Sequence, residues 1–300
     1  MNISLKDPGT QGLANILLVM LIWGSAFTAT KIAVEEVTPF MLAFLRNGIA
    51  SVCLLPFFLV KIRQATRPLP YVKMSFMGLT GITLFYAFFN SSLVYTTAAA
   101  GALVQGILPV AIALPAVLFL RERLTRTQAL GIVLSVAGVV LVGFTNGHAA
   151  GRNPLLGSVL MILSVFSWTV YTILSRSIRH IDPVLVTAFS TFAGTVLLLP
   201  ALALEPGDHI ISGISWKGWA AIAYLGLFAS ALSYILYNKA LQLLPAAQVG
   251  AFLNLDPVIG AVIAIIFLRE KVTGWQIAGG LLVLAGLWLS SKTAGEKARD

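Results

Sequence analysis

"FLREKVT" occupies residues 267–273, and a near twin, "FLRERLT", occupies residues 119–125. Held at that offset of 148 residues (119 to 267), the match continues through Phe119/Phe267, Arg121/Arg269, Glu122/Glu270, Thr125/Thr273, Gln128/Gln276, Gly131/Gly279 and Gly138/Gly286, and eleven of 23 positions agree without a gap. Backward, the same offset pairs Pro109 with Pro257, Asn90 with Asn238, Tyr86 with Tyr234 and Gly78 with Gly226. Slightly smaller offsets pair Trp23 with Trp168, Lys31 with Arg176, and "LLP" at 54–56 with "LLP" at 198–200. Two unrelated apolar stretches match many Leu and Ala by chance. They do not match Arg, Glu, Gln, Asn, Tyr, Trp and Pro in register. The chain therefore reads as a duplication, residues 1–150 and 151–300.

Each half is built for a bilayer. The chain is 58% hydrophobic and 10% charged, with mean hydropathy +0.91, whereas a soluble domain averages about 25% charged residues. Apolar stretches of transmembrane length recur at roughly 13–34, 39–60, 73–95, 98–120, 127–145, 154–175, 183–204, 217–239, 246–268 and 274–291. That predicts an all-α integral membrane protein of ten helices with short connections and no separate soluble domain. The first stretch is long enough to span and has a counterpart in the second half, so it reads as a retained helix rather than a cleaved leader.

The formal charge of +9 invites a nucleic-acid reading, but the distribution of charge answers differently. With ten spans and the N-terminus inside, 14 Lys and Arg fall on one side and 4 (Arg152, Lys217, Arg269, Lys271) on the other, while Lys31 and Arg46 lie within spans. This is the positive-inside bias of a membrane protein. It predicts cytoplasmic termini, a lipid partner and no nucleic-acid partner. Cys53 is the single cysteine, which excludes an internal disulfide and a CxxC metal or redox pair.

Five spans per half is an odd number, so the second copy enters the membrane from the opposite side. Two homologous halves of opposite topology form the inverted repeat of secondary transporters. The second "LRE" phrase falls outside, against the charge rule, which points to ancestry and to a structural role. Two five-helix halves, each ending in "LRE-basic-x-T" followed by "Q-x-x-G", together with "PFMLAFLR" opening the second span, resemble the EamA-type permeases of the drug/metabolite transporter superfamily. The family usually has glycine where this chain has Arg121 and Arg269. The resemblance implies a carrier of small metabolites, commonly an exporter, and most resembles the aromatic amino acid exporter branch.

Polar groups within the hydrocarbon core mark function or helix–helix hydrogen bonds. Asp256 is the one deep carboxylate; it would recognise a cation or couple protons, or else cap the helix break beside Pro257. Pro109 and Pro257 stand at matching places and would free the carbonyls of Gln105 and Leu253, as in the discontinuous helices that line transporter sites. Trp23, Trp168, Tyr86, Tyr234, Asn90 and Asn238 recur as pairs. With Gln105 they are expected to line one substrate cavity, or alternatively to pack the helices together. Lys31 would pair with Glu35 four residues on. Arg46 would snorkel outward, and either cation would otherwise bind a substrate carboxylate.

An intramembrane enzyme needs a convergent acid, base or nucleophile set, and the three histidines (His148, His180, His209) all fall in loops. No cofactor or metal is implied. The expected function is an alternating-access exporter of amino acids, aromatic ones included, or similar small metabolites in the inner membrane, for which a monomer suffices. The alternative is a drug or other metabolite efflux carrier; a nucleotide-sugar carrier would want more buried cations.

Overall fold

The computed structural model describes residues 8–65, 68–108, 111, 152–205, 213–244, 249, 252–253, 255–269 and 272–296, with scattered positions between 127 and 141. Among these the elements are helical: α1 (Pro8–Ala33), α2 (Pro39–Gln64), α3 (Tyr71–Tyr95), α4 (Ala98–Gln105), α5 (Pro154–Ser177), α6 (Pro183–Leu204), α7 (Trp216–Leu243), α8 (Leu255–Leu268) and α9 (Gly274–Glu296). Six of them (α1, α2, α3, α5, α6 and α7) are long and apolar enough to cross a membrane, and α8 and α9 carry shorter apolar stretches. Most of the expected fifth span and nearly half of the fourth, Pro109 included, lie outside the described residues.

Local signals start these helices. Proline sits in the first turn of α2, α5 and α6, where its missing N–H costs nothing. The side chains of Thr97, Asn153, Asp182 and Ser215 accept N–H bonds from the first turns of α4, α5, α6 and α7. The second copy of the duplicated phrase ends in such a device. Thr273 Oγ1 accepts from Gln276 N at 3.2 Å, and Gln276 Oε1 accepts from Thr273 N at 2.9 Å, a reciprocal capping box opening α9. Arg269, just before it, holds a left-handed φ of 52°. A glycine would hold that conformation without strain.

The ninth expected span is interrupted on the N-terminal side of Pro257. A turn at Leu253 precedes α8, and Pro257 is the third residue of α8 rather than its midpoint. The carbonyl of Leu253 is not free either, since it accepts from Asp256 N at 3.2 Å. The first half breaks at the matching place, where α4 ends at Gln105 and turns through Gly106 and Ile107.

Packing repeats between the halves. The first helix of one half, α1, packs on α7 and α8; its counterpart α5 packs on α3 and α4. Helix α2 packs on its counterpart α6 and on α7, while α6 packs on α3. Each contact therefore has a partner with the halves exchanged. Lipid offers no hydrophobic drive between helices, so close backbone approach matters. Gly78 and Gly194 show it: a Cβ on Gly78 would stand 2.6 Å from Ser190 O, and one on Gly194 would stand 2.6 Å from Gly78 O.

The outer surface is apolar. Leu17, Leu21, Phe57, Val60, Phe166, Val170, Val196, Leu199, Ile266 and Phe267 are exposed, a belt that suits lipid and not water. Trp216, Trp219, Trp275 and Trp288 are also exposed. Several buried hydroxyls bond the preceding helical turn, as Thr169 does on Val165 O (2.8 Å) and Thr195 on Thr191 O (2.7 Å).

Candidate functional site

Between the halves lies a narrow cavity with about 420 Å³ of empty space. Trp23, Tyr86, Gln105, Trp168, Tyr234 and Asp256 all line it, joined by Ala26, Phe27, Arg46, Phe85, Phe89 and Leu108. Residues from α1, α2, α3 and α4 thus face residues from α5, α7 and α8 across it.

Two π-helical segments aim the tyrosines. Leu79–Leu84 within α3 and Leu225–Leu232 within α7 are wound wider than an α-helix, and each ends two residues before its tyrosine, Tyr86 or Tyr234. Such turns concentrate at functional sites, and no hydrophobic periodicity announces them. Tyr234 Oη donates to Gly81 O at 2.8 Å, joining one π segment to the helix that holds the other. The rings of Tyr86 and Tyr234 stand 6.5 Å apart.

The tryptophans meet beside them. Trp23 and Trp168 pack edge to face with centroids 5.2 Å apart, Trp168 stacks on Tyr171 at 4.7 Å, and Trp23 Nε1 donates to Ala229 O at 3.1 Å. Each such aromatic pair contributes about 0.5–1.5 kcal/mol beyond its buried area, so this wall is rigid as well as apolar.

The helix breaks supply polar groups. Gln105 Nε2 donates to Asp256 Oδ2 at 3.3 Å, tying the end of α4 in one half to the start of α8 in the other. Arg46 does not snorkel. It is 2% exposed, donates through Nε to Ser230 Oγ at 3.0 Å, and lays its guanidinium 4.0 Å from the centroid of the Tyr86 ring. Its depth past Pro39 was legible in the sequence, but its direction was not, because helical spacing alone leaves a long side chain free to turn either way.

Asn90 and Asn238 take up positions away from this cavity. Asn90 Nδ2 donates to Pro39 O at 2.9 Å. Asn238 binds Tyr171 Oη (3.0 Å), Thr187 Oγ1 (2.9 Å) and Ser175 Oγ (2.7 Å), a buried knot joining α5, α6 and α7. It borders a smaller pocket of about 210 Å³ with Ser175 and Gln242. Lys31 Nζ donates to Leu93 O (2.7 Å) and Thr96 O (2.9 Å), anchoring α1 to the end of α3.

At one end of the bundle, carboxylates close connections between the halves. Glu36 accepts from Ser215 N (2.7 Å) and Ser215 Oγ (2.6 Å) at the start of α7. Those two donors hold its carboxyl below the ordinary carboxylate pKa, the hydroxyl bond contributing most. Glu205 caps α2 from Thr38 Oγ1 (2.5 Å), Phe40 N (3.1 Å) and Met41 N (3.2 Å).

A duplicated, multi-pass helical membrane protein with a cavity shared by its halves belongs to the class of transporters. The EamA-like transporter family matches residues 10–144 and 155–292, and the chain belongs to that family. It is 32% identical over 281 residues to an uncharacterized transporter of Archaeoglobus fulgidus, covering 92% of this chain and 96% of the relative. It is 28% identical to a protein of Streptantibioticus cattleyicolor named a probable terminal-alkyne amino-acid exporter (94% of each chain). It is 29% identical to a Salmonella typhimurium protein named a probable amino-acid metabolite efflux pump (91% and 92%). A crystal structure with 20% identity superposes with a TM-score of 0.67 over 95% of this chain and 98% of the other, showing a shared fold. The family and these names point to transport rather than catalysis.

Proposed function

We propose that the protein exports amino acids, aromatic ones included, or similar small metabolites by alternating access. The observation that carries this reading is the convergence of Trp23/Trp168 and Tyr86/Tyr234 on one cavity. Its walls come from both halves, so a movement of one half against the other reshapes the site and its access. An apolar aromatic lining with few polar groups is the usual make-up of a small-molecule pocket. The substrate-binding set is Trp23, Tyr86, Gln105, Trp168, Tyr234 and Asp256 within the cavity. Asn90 and Asn238 support the helices that carry it, and the breaks beside Pro109 and Pro257 set the polar ends.

The frame for this is ten transmembrane helices in two inverted five-helix repeats, residues 1–150 and 151–300, in the inner membrane with both termini cytoplasmic. The two family matches and the exchanged helix contacts support the division. The end closed by Glu36 and Glu205 is then the outer one. The names of two relatives, an amino-acid exporter and an amino-acid metabolite efflux pump, support the substrate class. The same aromatic walls suit efflux of other apolar metabolites, which is the second reading.

Purified protein in proteoliposomes, offered a panel of labelled amino acids, tests the proposal. Counterflow of aromatic or other large apolar amino acids is expected. Counterflow of apolar non-amino-acid compounds alone would select the second reading.

A further inference from the structure

We infer that the cavity recognises its substrate as a zwitterion, with the carboxylate at Arg46 and the ammonium at Asp256 and Gln105. The inference rests on the amino-acid reading above and assigns the two ends of the molecule.

Four buried polar atoms on this one cavity have no hydrogen-bond partner among the described residues: Arg46 Nη1, Gln105 Oε1, Asp256 Oδ1 and Trp168 Nε1. Buried polar groups in proteins are normally satisfied, and leaving a charged one unsatisfied is expensive. Arg46 is the more telling case. It is 2% exposed, and among the described residues its one hydrogen bond is to the neutral Ser230 hydroxyl. The one salt bridge among those residues joins Lys61 to Asp182, so no described carboxylate neutralises Arg46. The guanidinium fork matches the two oxygens of a carboxylate, as it does those of a phosphate, and an amino acid supplies the carboxylate.

The opposite end has the opposite chemistry. Asp256 Oδ1 and Gln105 Oε1 are both acceptors, and the Gln105–Asp256 hydrogen bond holds them side by side. An ammonium brings three donors and no acceptor, which two acceptors on adjacent groups can take. Arg46 and Asp256 face the same space without pairing with each other. A cation and a carboxyl kept apart across an aromatic cavity complement a molecule with a negative end, a positive end and an apolar side chain.

The Tyr86 ring fits this division. Its face is covered by the Arg46 guanidinium at 4.0 Å, so it is not the seat of the substrate ammonium. Tyr86, besides lining the cavity, holds the guanidinium flat. The remaining walls, Trp23, Phe85 and Trp168, receive the side chain.

The test uses full-length protein in lipid nanodiscs and equilibrium binding of L-phenylalanine, L-phenylalaninamide (no carboxylate) and N-acetyl-L-phenylalanine (no ammonium). Wild-type protein should prefer L-phenylalanine over each analogue by at least tenfold. Arg46→Gln should bring acid and amide within twofold of each other by weakening the acid alone, with Arg46→Lys intermediate. Asp256→Asn should do the same for the N-acetyl comparison. Should Arg46→Gln fail to fold, the wild-type comparison still decides, because it changes the ligand and not the protein. Equal binding of L-phenylalanine and its amide to wild type would overturn this inference and leave the transport reading standing. No binding of L-phenylalanine, together with no counterflow of any amino acid in the panel, would overturn both.

Discussion

Trp23 and Trp168 occupy corresponding places in the two halves, and their rings meet edge to face at 88° with centroids 5.2 Å apart. A residue and its duplicate touch each other across the interface between the repeats. Trp168 also packs edge to face on Tyr234 at 5.2 Å, so the three rings form one wall of the cavity. Trp168→Ala should lower transport of phenylalanine by about tenfold, the order expected from losing one or two aromatic contacts of about 0.5–1.5 kcal/mol each. Transport of alanine should fall less. Equal losses for both amino acids, with lower expression, would mean that this ring serves packing alone.

The pairing of these aromatics was legible because duplication places identical residue types in register, which apolar periodicity does not imitate. A shared cavity was one of the two expectations that pairing raised, but the orientation of the rings was not legible. The π segments before Tyr86 and Tyr234 rotate both side chains relative to an ideal α-helix, and a wider turn leaves no mark in the spacing of apolar residues. Asn90 and Asn238 show the converse. They match as well as the tyrosines do, yet bind Pro39 O and the Tyr171–Thr187–Ser175 group away from the cavity, since one sequence pattern serves packing and lining alike. The Thr273–Gln276 box was open to direct reading, because Thr three residues before Gln at the start of an apolar run is a helix-start signature.

Close approach of Gly78 and Gly194 predicts intolerance at both. A Cβ at Gly78 would stand 2.7 Å from Gly194 N, so backbone rather than a flexible side chain would have to yield. Gly78→Ala and Gly194→Ala should each destabilise the protein by about 1–3 kcal/mol, read as a lower melting temperature in detergent. Gly48, whose added Cβ meets nothing within 4 Å, provides the control: Gly48→Ala should leave melting nearly unchanged.

Arg269 makes the reverse prediction. An L-residue in the left-handed region costs about 1–2 kcal/mol, while glycine there gives back part of that through the flexibility of the unfolded chain. Arg269→Gly should therefore raise stability by about 0.5–1 kcal/mol. A lower melting temperature would show that the arginine side chain outweighs its backbone.

The count of 14 Lys and Arg on one side against 4 on the other predicts cytoplasmic termini. A reporter enzyme fused after Asp300 should be active in the cytoplasm of cells expressing the intact chain. Periplasmic activity would refute ten spans in this orientation.

Glu36 ties the α1–α2 connection to the start of α7, and its dependence on pH follows from its two donors. The Ser215 hydroxyl and amide both bind the carboxylate form, so the folded pKa lies below the ordinary 4.5. A carboxyl with a lowered folded pKa contributes stability that is complete above its unfolded value and lost as pH falls through the folded one. The contribution of this contact should thus be constant at neutral pH and disappear only in acid, below the lowered Glu36 pKa. Glu36→Ala, which removes both bonds, should lower the melting temperature at pH 7, and the gap from wild type should close as the pH falls below that value. Measured melting curves across the acid range decide the matter. A gap that persists unchanged in acid would mean that shape at this connection matters more than the charge, and Glu36 would no longer be a closing contact governed by its ionisation.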